Sequence, residues 1–334
     1  MDLVIGADGG GTKTACAIAQ MNGRIIGLGY AGPSNHLRLP GRHAQAAEAV
    51  LEGAQAAFAD SGMAGARVRQ AYLALAGVGT DGVNVKMMDA ARQVLDAEEI
   101  IVDNDAVAGL AAATGQLYGV VIIAGTGSIA VAVDREGRRA RSGGWGYRIG
   151  DEGSGQWIGR LGLAAAARAH DGRGGPTALV ARALEHFSIE TVDEIRSVLY
   201  RQPTNNRDIA DFCVQVVAAA WEGDEVAMDI IGQAGRELAL AAWAAARSLG
   251  MDSTEFPVSP NGSVFKAGDV ITSPFKEELG RLAPTAEVVS APFPPVVGAV
   301  ILALLSAGVK VDSVVQENLE RSWEEVMARH ERLS

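Results

Sequence analysis

The chain has 334 residues, 48% of them hydrophobic and 21% charged, the balance of a globular protein long enough for two domains. Forty acidic against 29 basic residues give a net charge of -11, which argues against nucleic acid or an anionic membrane as partner but leaves room for a local pocket that takes an anionic ligand. Cys16 and Cys213 have no CxxC spacing, so they read as buried free thiols rather than a disulfide framework or a metal cluster.

Met1-Asp2 leads directly into an apolar strand without a basic leader. The longest apolar stretch, Val296 to Val309, is shorter than the roughly 18 residues of a membrane span. A cytoplasmic protein is expected.

Leu3 to Ala7 is predicted as a strand that meets the turn DGGGTKT, Asp8 to Thr14. Ala15, Ala17 and Ala19 alternate along a second strand, and Asn22-Gly23 turns the chain into a third extended segment. The pattern then predicts a helix over Arg42 to Asp60, a strand over Gln70 to Ala76 and a helix over Val83 to Leu95. A short strand, Glu99 to Val102, ends at Asp103-Asn104-Asp105, and Ala106 to Thr114 is helical. A second β unit runs from Gly119 to Ser142 through the turn AGTGS, Ala124 to Ser128.

Helices follow over Gly155 to Ala169, Thr177 to Phe187, Thr191 to Tyr200, Arg207 to Trp221 and Asp224 to Ser248. Glu255 to Ser259 is predicted as a strand before Asn261-Gly262, with helices over Pro274 to Leu282, Val296 to Ala307 and Asp312 to Arg332. Strands alternating with helices imply mixed sheets flanked by helices. Topology places a boundary near Gly115, giving domains 1–115 and 116–311, with the closing helix, 312–334, joining the first.

The two β units are copies in outline. Gly11-Thr12 returns as Gly125-Thr126, 114 residues on, and Gly23-Arg24 returns as Gly137-Arg138 at the same offset. The repeat suggests two similar halves facing a shared cleft. Small residues and hydroxyls in both turns let backbone N–H groups and Thr or Ser oxygens approach a phosphate, while each turn taken alone could simply be a tight hairpin. Thr12 stands between Gly11 and Lys13, so the first turn is not a P-loop. Gly125, Gly127 and Ala130 fit GxGxxA formally, yet Ile129 to Val133 continues as a hairpin strand rather than a helix, which argues against a dinucleotide site.

With DGGGTKT, GPSNH (Gly32 to His36), DNDAVAG, AGTGS, GGWGYRIGDEGSGQW (Gly143 to Trp157) and NGSVF (Asn261 to Phe265) in this order, the chain resembles the N-acetylglucosamine kinases, which belong to the BadF/BadG-type ATPases of the actin/Hsp70/hexokinase superfamily. The resemblance implies a two-domain actin-like ATPase fold, ribonuclease H-like, with duplicated mixed sheets and a central cleft. It implies ATP and Mg²⁺ as cofactors, a hexosamine such as N-acetylglucosamine or glucosamine phosphorylated at its 6-hydroxyl, and a homodimer. Asp105 matches the catalytic base, with Asp103 the expected capping or structural member of the pair. Asn35, Gly144, Trp145, Asp151 and Glu152 match the sugar site, together with Asp105; Asp151 to Ser154 could equally cap the helix that follows.

By the same resemblance Asp8 holds Mg²⁺ through water, and Gly10, Gly11, Thr12, Lys13 and Thr14 form the first phosphate loop. Gly125, Thr126 and Gly127 form the second, while Gly262 and Ser263 stand where the family usually has Gly-Gly at adenosine. Three alternatives stay open: an activator ATPase of the 2-hydroxyacyl-CoA dehydratase or benzoyl-CoA reductase type, a broad-specificity glucokinase or hexokinase, and a silent sugar sensor. An activator would need cluster cysteines, and neither Cys16 nor Cys213 sits in such a loop.

Overall fold

Alternating apolar residues and two tight turns fold the N-terminus into an antiparallel meander of β1 (Leu3–Gly9), β2 (Thr14–Gln20) and β3 (Ile25–Ala31). The structure is a computed structural model that describes residues 2–36, 39, 42–63, 66–79, 81–200 and 206–332. After α1 (Arg42–Ser61), β4 (Val68–Leu75) joins β1 in parallel; after α2 (Asp81–Val94), β5 (Ala97–Asn104) joins β4 in parallel. The sheet order is β3-β2-β1-β4-β5. Its register sets Gly9, Leu75 and Asn104 side by side, so the glycine turn and the start of α3 (Asp105–Thr114) leave the same end of the sheet.

The second meander, β6 (Gly119–Ala124), β7 (Ser128–Val133) and β8 (Arg139–Gly143), repeats the first. Helices α4 (Gly155–His170), α5 (Leu179–Phe187), α6 (Glu194–Leu199), α7 (Asn206–Asp211), α8 (Cys213–Trp221) and α9 (Glu225–Arg247) follow. Then β9 (Phe256–Asn261) pairs in parallel with β6, and β10 (Ala286–Val288), after α10 (Asp269–Leu282), pairs in parallel with β9. The order β10-β9-β6-β7-β8 is that of the first sheet with the strands renumbered, so the duplication read from the glycine turns extends to the whole sheet.

The chain closes with α11 (Pro295–Ser306) and α12 (Ser313–Glu331). It forms two compact units, one of Met1–Tyr118 with Ser290–Ser334 and one of Gly119–Val289. One face of the first sheet buries Leu3, Ile5, Cys16 and Ile18 against Ala46, Val50 and Ala54 of α1. The other face is covered by α11, whose approach needs glycine: a Cβ at Gly6 would lie 2.3 Å from the Val300 backbone nitrogen, and one at Gly298 would lie 1.9 Å from the Ala108 carbonyl oxygen. Val300, Ile301, Leu302 and Leu304 are buried there, each worth roughly 1.5–3 kcal/mol of apolar transfer.

Three expectations are corrected. Residues 290–311, expected in the second domain, belong with the first because α11 packs on β1, β2 and β4, and the division falls after Tyr118 rather than at Gly115. The helix expected over Arg207 to Trp221 is two, interrupted where buried Phe212 packs on Phe187 and His186. Pro274 lies inside α10 instead of starting it, since Gly268 and Asp269 already open the helix. The short β10 carries too few residues for a period to be legible.

Candidate active site

In the first unit, the glycine turn is closed by the Gly10 N–H donating to the Lys13 carbonyl at 3.0 Å. The Gly10 carbonyl in turn accepts from the N–H groups of Ser34 and Asn35, both at 3.1 Å, which hooks the loop after β3 onto the turn. Gly9 makes room for this, since a Cβ there would lie 2.0 Å from the Ser34 hydroxyl oxygen. Thr12 and Lys13 are exposed, with the Lys13 ammonium 5.1 Å from the Tyr30 ring centre. Thr14, expected in the first phosphate loop, is fully buried and its hydroxyl donates to the Gly32 carbonyl at 2.8 Å, which braces the loop. His36, next to Asn35, is buried and stacks on His43 at 4.7 Å; burial pushes both imidazoles below their ordinary pKa.

Asp105 opens α3. The cap is Asn104, whose side-chain oxygen accepts from the Ala106 N–H at 3.0 Å while its amide donates to the Val78 carbonyl at 2.6 Å. Asp103, expected as the cap or structural member, takes the structural part: it is buried, bonds the Tyr72 hydroxyl, and accepts the Asn104 N–H at 2.7 Å. Asp105 is thereby left for other work. Burial raises its pKa, opposed by the helix N–H groups of Ala106 and Asp105 itself. Burial, with the charge of Asp105, also pushes Asp8 up to about 6, against the pull of Lys13. Asn35, Asp8, Asp105 and the exposed Thr12 are therefore gathered at one end of one sheet.

In the second unit, the Gly125 N–H donates to the Gly127 carbonyl at 2.9 Å, and the Gly125 carbonyl accepts from the Gly155 N–H at 2.7 Å, which fastens the turn to the start of α4. Two cavities flank this turn. One of about 450 Å³ is lined by Gly125, Thr126, Cys213, Ser263 and Lys266; the other, of about 430 Å³, by Ser128, Ile129, Trp145, Glu152 and Glu237. Gly262 has φ +101° and a Cβ there would lie 2.2 Å from the Ala124 carbonyl oxygen, whereas Ser263 is in ordinary helical geometry. Only the first position of the Gly-Ser pair needs glycine, and serine at the second is accommodated.

Asp151 is buried at φ +61°, a strained value for a residue with a side chain. Its carboxylate accepts from the N–H groups of Gly146, at 3.1 Å, and Ser128, and lies against Gly127. Burial raises its pKa. Within the Asp151 to Ser154 segment expected to cap α4, the cap is Ser154, which accepts from the Trp157 N–H at 3.2 Å. Gly144 and Trp145 form the loop that Asp151 gathers; Trp145 is 63% exposed, with the Arg141 guanidinium 4.4 Å from its ring centre. The sequence offered no signal for Glu237, which reads as a solvated face of α9, or for Cys213. Lys266 follows NGSVF directly and could have been marked by that spacing.

Residues 5–303 match the BadF/BadG/BcrA/BcrD ATPase family. The chain is 31% identical over 308 residues to the N-acetylmuramic acid/N-acetylglucosamine kinase of Clostridium acetobutylicum, spanning 91% of this chain and 98% of that one. It is 29% identical over 314 residues to the N-acetyl-D-glucosamine kinase of Dictyostelium discoideum, again 91% and 98%. Among solved structures, an N-acetylglucosamine kinase candidate from Chromobacterium violaceum superposes with a TM-score of 0.69 at 27% identity, covering 90% of this chain and 98% of that chain. A ROK-family glucokinase from Streptomyces griseus, at 20% identity and a TM-score of 0.53 over 91% and 98%, shares the fold. With a family match across nearly its whole length, relatives that align end to end, and the duplicated sheets of actin-like sugar kinases, the chain belongs to the BadF/BadG/BcrA/BcrD ATPase family.

Proposed function

We propose that this chain transfers the γ-phosphoryl group of ATP to the 6-hydroxyl of a hexosamine, N-acetylglucosamine or glucosamine. It is an ATP-dependent carbohydrate kinase, the activity for which its end-to-end relatives are named. The observation that carries the reading is the Gly125–Ser128 turn with a cavity on each side, one bordered by Thr126 and Ser263, the other by Ser128, Trp145 and Glu152. A phosphate chain cradled by small residues beside a polar, aromatic-walled pocket is the arrangement that phosphoryl transfer to a sugar requires.

Asp105 acts as base: its carboxylate takes the proton of the attacking hydroxyl as the O–P bond forms and the bond from the γ-phosphorus to the ADP oxygen breaks. A pKa raised by burial brings it closer to that task than an exposed aspartate. Asn35 binds sugar hydroxyls, as do Trp145, Glu152 and the backbone of Gly144, with Asp151 holding their loop. Within the first unit, Thr12, Lys13 and the N–H groups of Gly10 and Gly11 are the proposed phosphate contacts; within the second unit, taken by itself, they are Gly125, Thr126 and Gly127, with Gly262-Ser263 for adenosine.

Asp8 fits Mg²⁺ held through water. Asp8 is held near 6 by burial and a neighbouring negative charge, the position of a carboxylate that a cation would relieve. When bound, the ion neutralises charge on the transferring phosphoryl group. Two buried free thiols and ATP as donor agree with a cytoplasmic enzyme, and a homodimer is part of the proposal, to be tested by light scattering. The deciding experiment is an ADP-release screen over N-acetylglucosamine, glucosamine, glucose and N-acetylmannosamine, with phosphorus NMR locating the new ester. ADP release no faster with any sugar than without would sink the reading.

A further inference from the structure

The Lys13 ammonium, proposed for the phosphate chain, lies 5.1 Å from the centre of the Tyr30 ring. Neighbouring strands make that meeting possible: Lys13 leads into β2, and Tyr30 of β3 sits opposite Ala15 in the register of the pair. Gly27 and Gly29 of β3 face α1, where a Cβ would lie 2.1 Å from the Ala57 carbonyl oxygen and 2.3 Å from that of Gly53. Strand alternation therefore turns Tyr30 to the other face, where it stays 46% exposed.

Behind Tyr30 stands the end of α12. The His330 ring meets it edge-on, with centres 6.3 Å apart and planes at 85°. That end is fastened to β3, the edge strand of its sheet. Arg329 donates to the Ile26 carbonyl at 3.1 Å and to the Asp60 carboxylate at 2.5 Å. The same carboxylate accepts the Leu28 N–H at 2.9 Å and lies 3.3 Å from His330 Nε2. Earlier on the helix, Ser322 accepts the Ile25 N–H at 2.8 Å.

An aromatic face draws an ammonium through its quadrupole without supplying a counter-charge. The charge of Lys13 thus stays available to phosphate, whereas a carboxylate in the place of Tyr30 would compete for it. A ring held from behind also narrows the rotamers of an exposed lysine before a ligand arrives, which lowers the ordering cost of binding. Held there, the ammonium is close enough to Asp8 to draw its carboxyl down against the effect of burial.

We propose that Tyr30, backed by His330 of α12, is a positioning residue that holds Lys13 at the phosphate turn. The inference rests on the reading of that turn as part of an ATP site, and Tyr30 acts on the nucleotide only through Lys13.

The test measures by calorimetry the Kd of the full chain for AMPPNP, a non-hydrolysable ATP analogue, with Mg²⁺. It uses the wild type, Tyr30→Leu, Tyr30→Phe, His330→Ala, Lys13→Met and the double variant of Lys13→Met with Tyr30→Leu. Tyr30→Leu should raise Kd about two- to fivefold, the scale of an exposed cation–π contact. Tyr30→Phe, which keeps the ring, should recover most of that affinity, and His330→Ala should weaken binding in the same direction as Tyr30→Leu. Lys13→Met should raise Kd about tenfold, and adding Tyr30→Leu to it should change Kd by less than about 1.5-fold, because nothing is left to position. A merely structural role for Tyr30 would give the same loss with or without Lys13. An unmoved Kd in Tyr30→Leu, an equal loss in Tyr30→Phe, or a loss that persists in the Lys13→Met background would overturn the inference and leave the kinase reading standing. An unmoved Kd in His330→Ala would overturn the part given to α12. No binding of the analogue to the wild type would remove both the ATP site and the inference.

Discussion

The Asn35 N–H donates to the Gly10 carbonyl at 3.1 Å, so the residue proposed for the sugar hangs from the turn proposed for phosphate. Because the hook is made by backbone, Asn35→Ala should leave it in place and remove only the side-chain amide. The hexosamine KM should rise ten- to a hundredfold, the scale of about 1–3 kcal/mol for an unpaired buried polar group, with the KM for ATP changed less than about threefold. Gly9→Ala, whose new Cβ would strike the Ser34 hydroxyl, should instead raise both constants. Steady-state kinetics of the two variants separate side-chain recognition from loop placement.

Asp105→Asn should keep the fold, since Asn104 and not Asp105 caps α3. The turnover number should fall by at least about a hundredfold, the usual scale for a lost general base, while calorimetry still detects sugar binding. Near-wild-type turnover would remove Asp105 from the mechanism.

Asp8 gives a pH signature. Its carboxyl is raised from 3.8 to about 6, so the folded metal-free protein favours the protonated form; that contribution to stability is complete below 3.8 and is lost as pH rises through about 6. Asp8→Asn, always neutral, should melt higher than wild type at pH 7.5 in chelator, by roughly 1–4 °C, with the difference vanishing near pH 4. ATP turnover should drop in the same variant. An equal melting difference at both pH values would show that Asp8 carries no charge penalty.

Thr12→Val and Thr126→Val each remove one exposed hydroxyl at the tip of a glycine turn. Both should raise the KM for ATP, each by roughly fivefold or more if a phosphate contact is lost, and neither should change the KM for sugar by as much. If only one matters, the phosphate chain is held by one turn alone.

Asp151 is predicted to act through its loop. Asp151→Ala loses the acceptor for the Gly146 and Ser128 N–H groups and puts alanine at φ +61°, so both the sugar KM and thermal stability should suffer. Asp151→Asn, which tolerates the left-handed region and keeps one acceptor oxygen, should recover most of the stability. Equal losses in the two variants would assign the carboxylate charge itself to the sugar.

The repeat was legible because its signals are local: a glycine turn, alternating small residues and a second turn define a meander without reference to anything distant. Asp105, Asn35 and Trp145 came from ordered motifs rather than from periodicity. What escaped depends on packing. Glu237 sits mid-helix like any solvated glutamate until α9 is laid beside the 150–154 loop, and the bond from the Thr14 hydroxyl to Gly32 cannot be read from DGGGTKT. α11 was read correctly as a helix, but no pattern within it says which sheet it covers.

That last point bears on how the protein is made. β1 is synthesised well before the helix whose backbone touches Gly6, which comes nearly three hundred residues later. The second unit, Gly119–Val289, is continuous in sequence and has all its partners at hand, whereas the first waits with one apolar sheet face open until α11 has been synthesised. Contacts of such long separation are slow to close and leave the waiting surface open to aggregation. The dependence of expression on chaperones, and the intolerance of this fold to early stop codons, should therefore be governed by Ser290 to Ser334 rather than by the half that holds the phosphate turn of the second sheet.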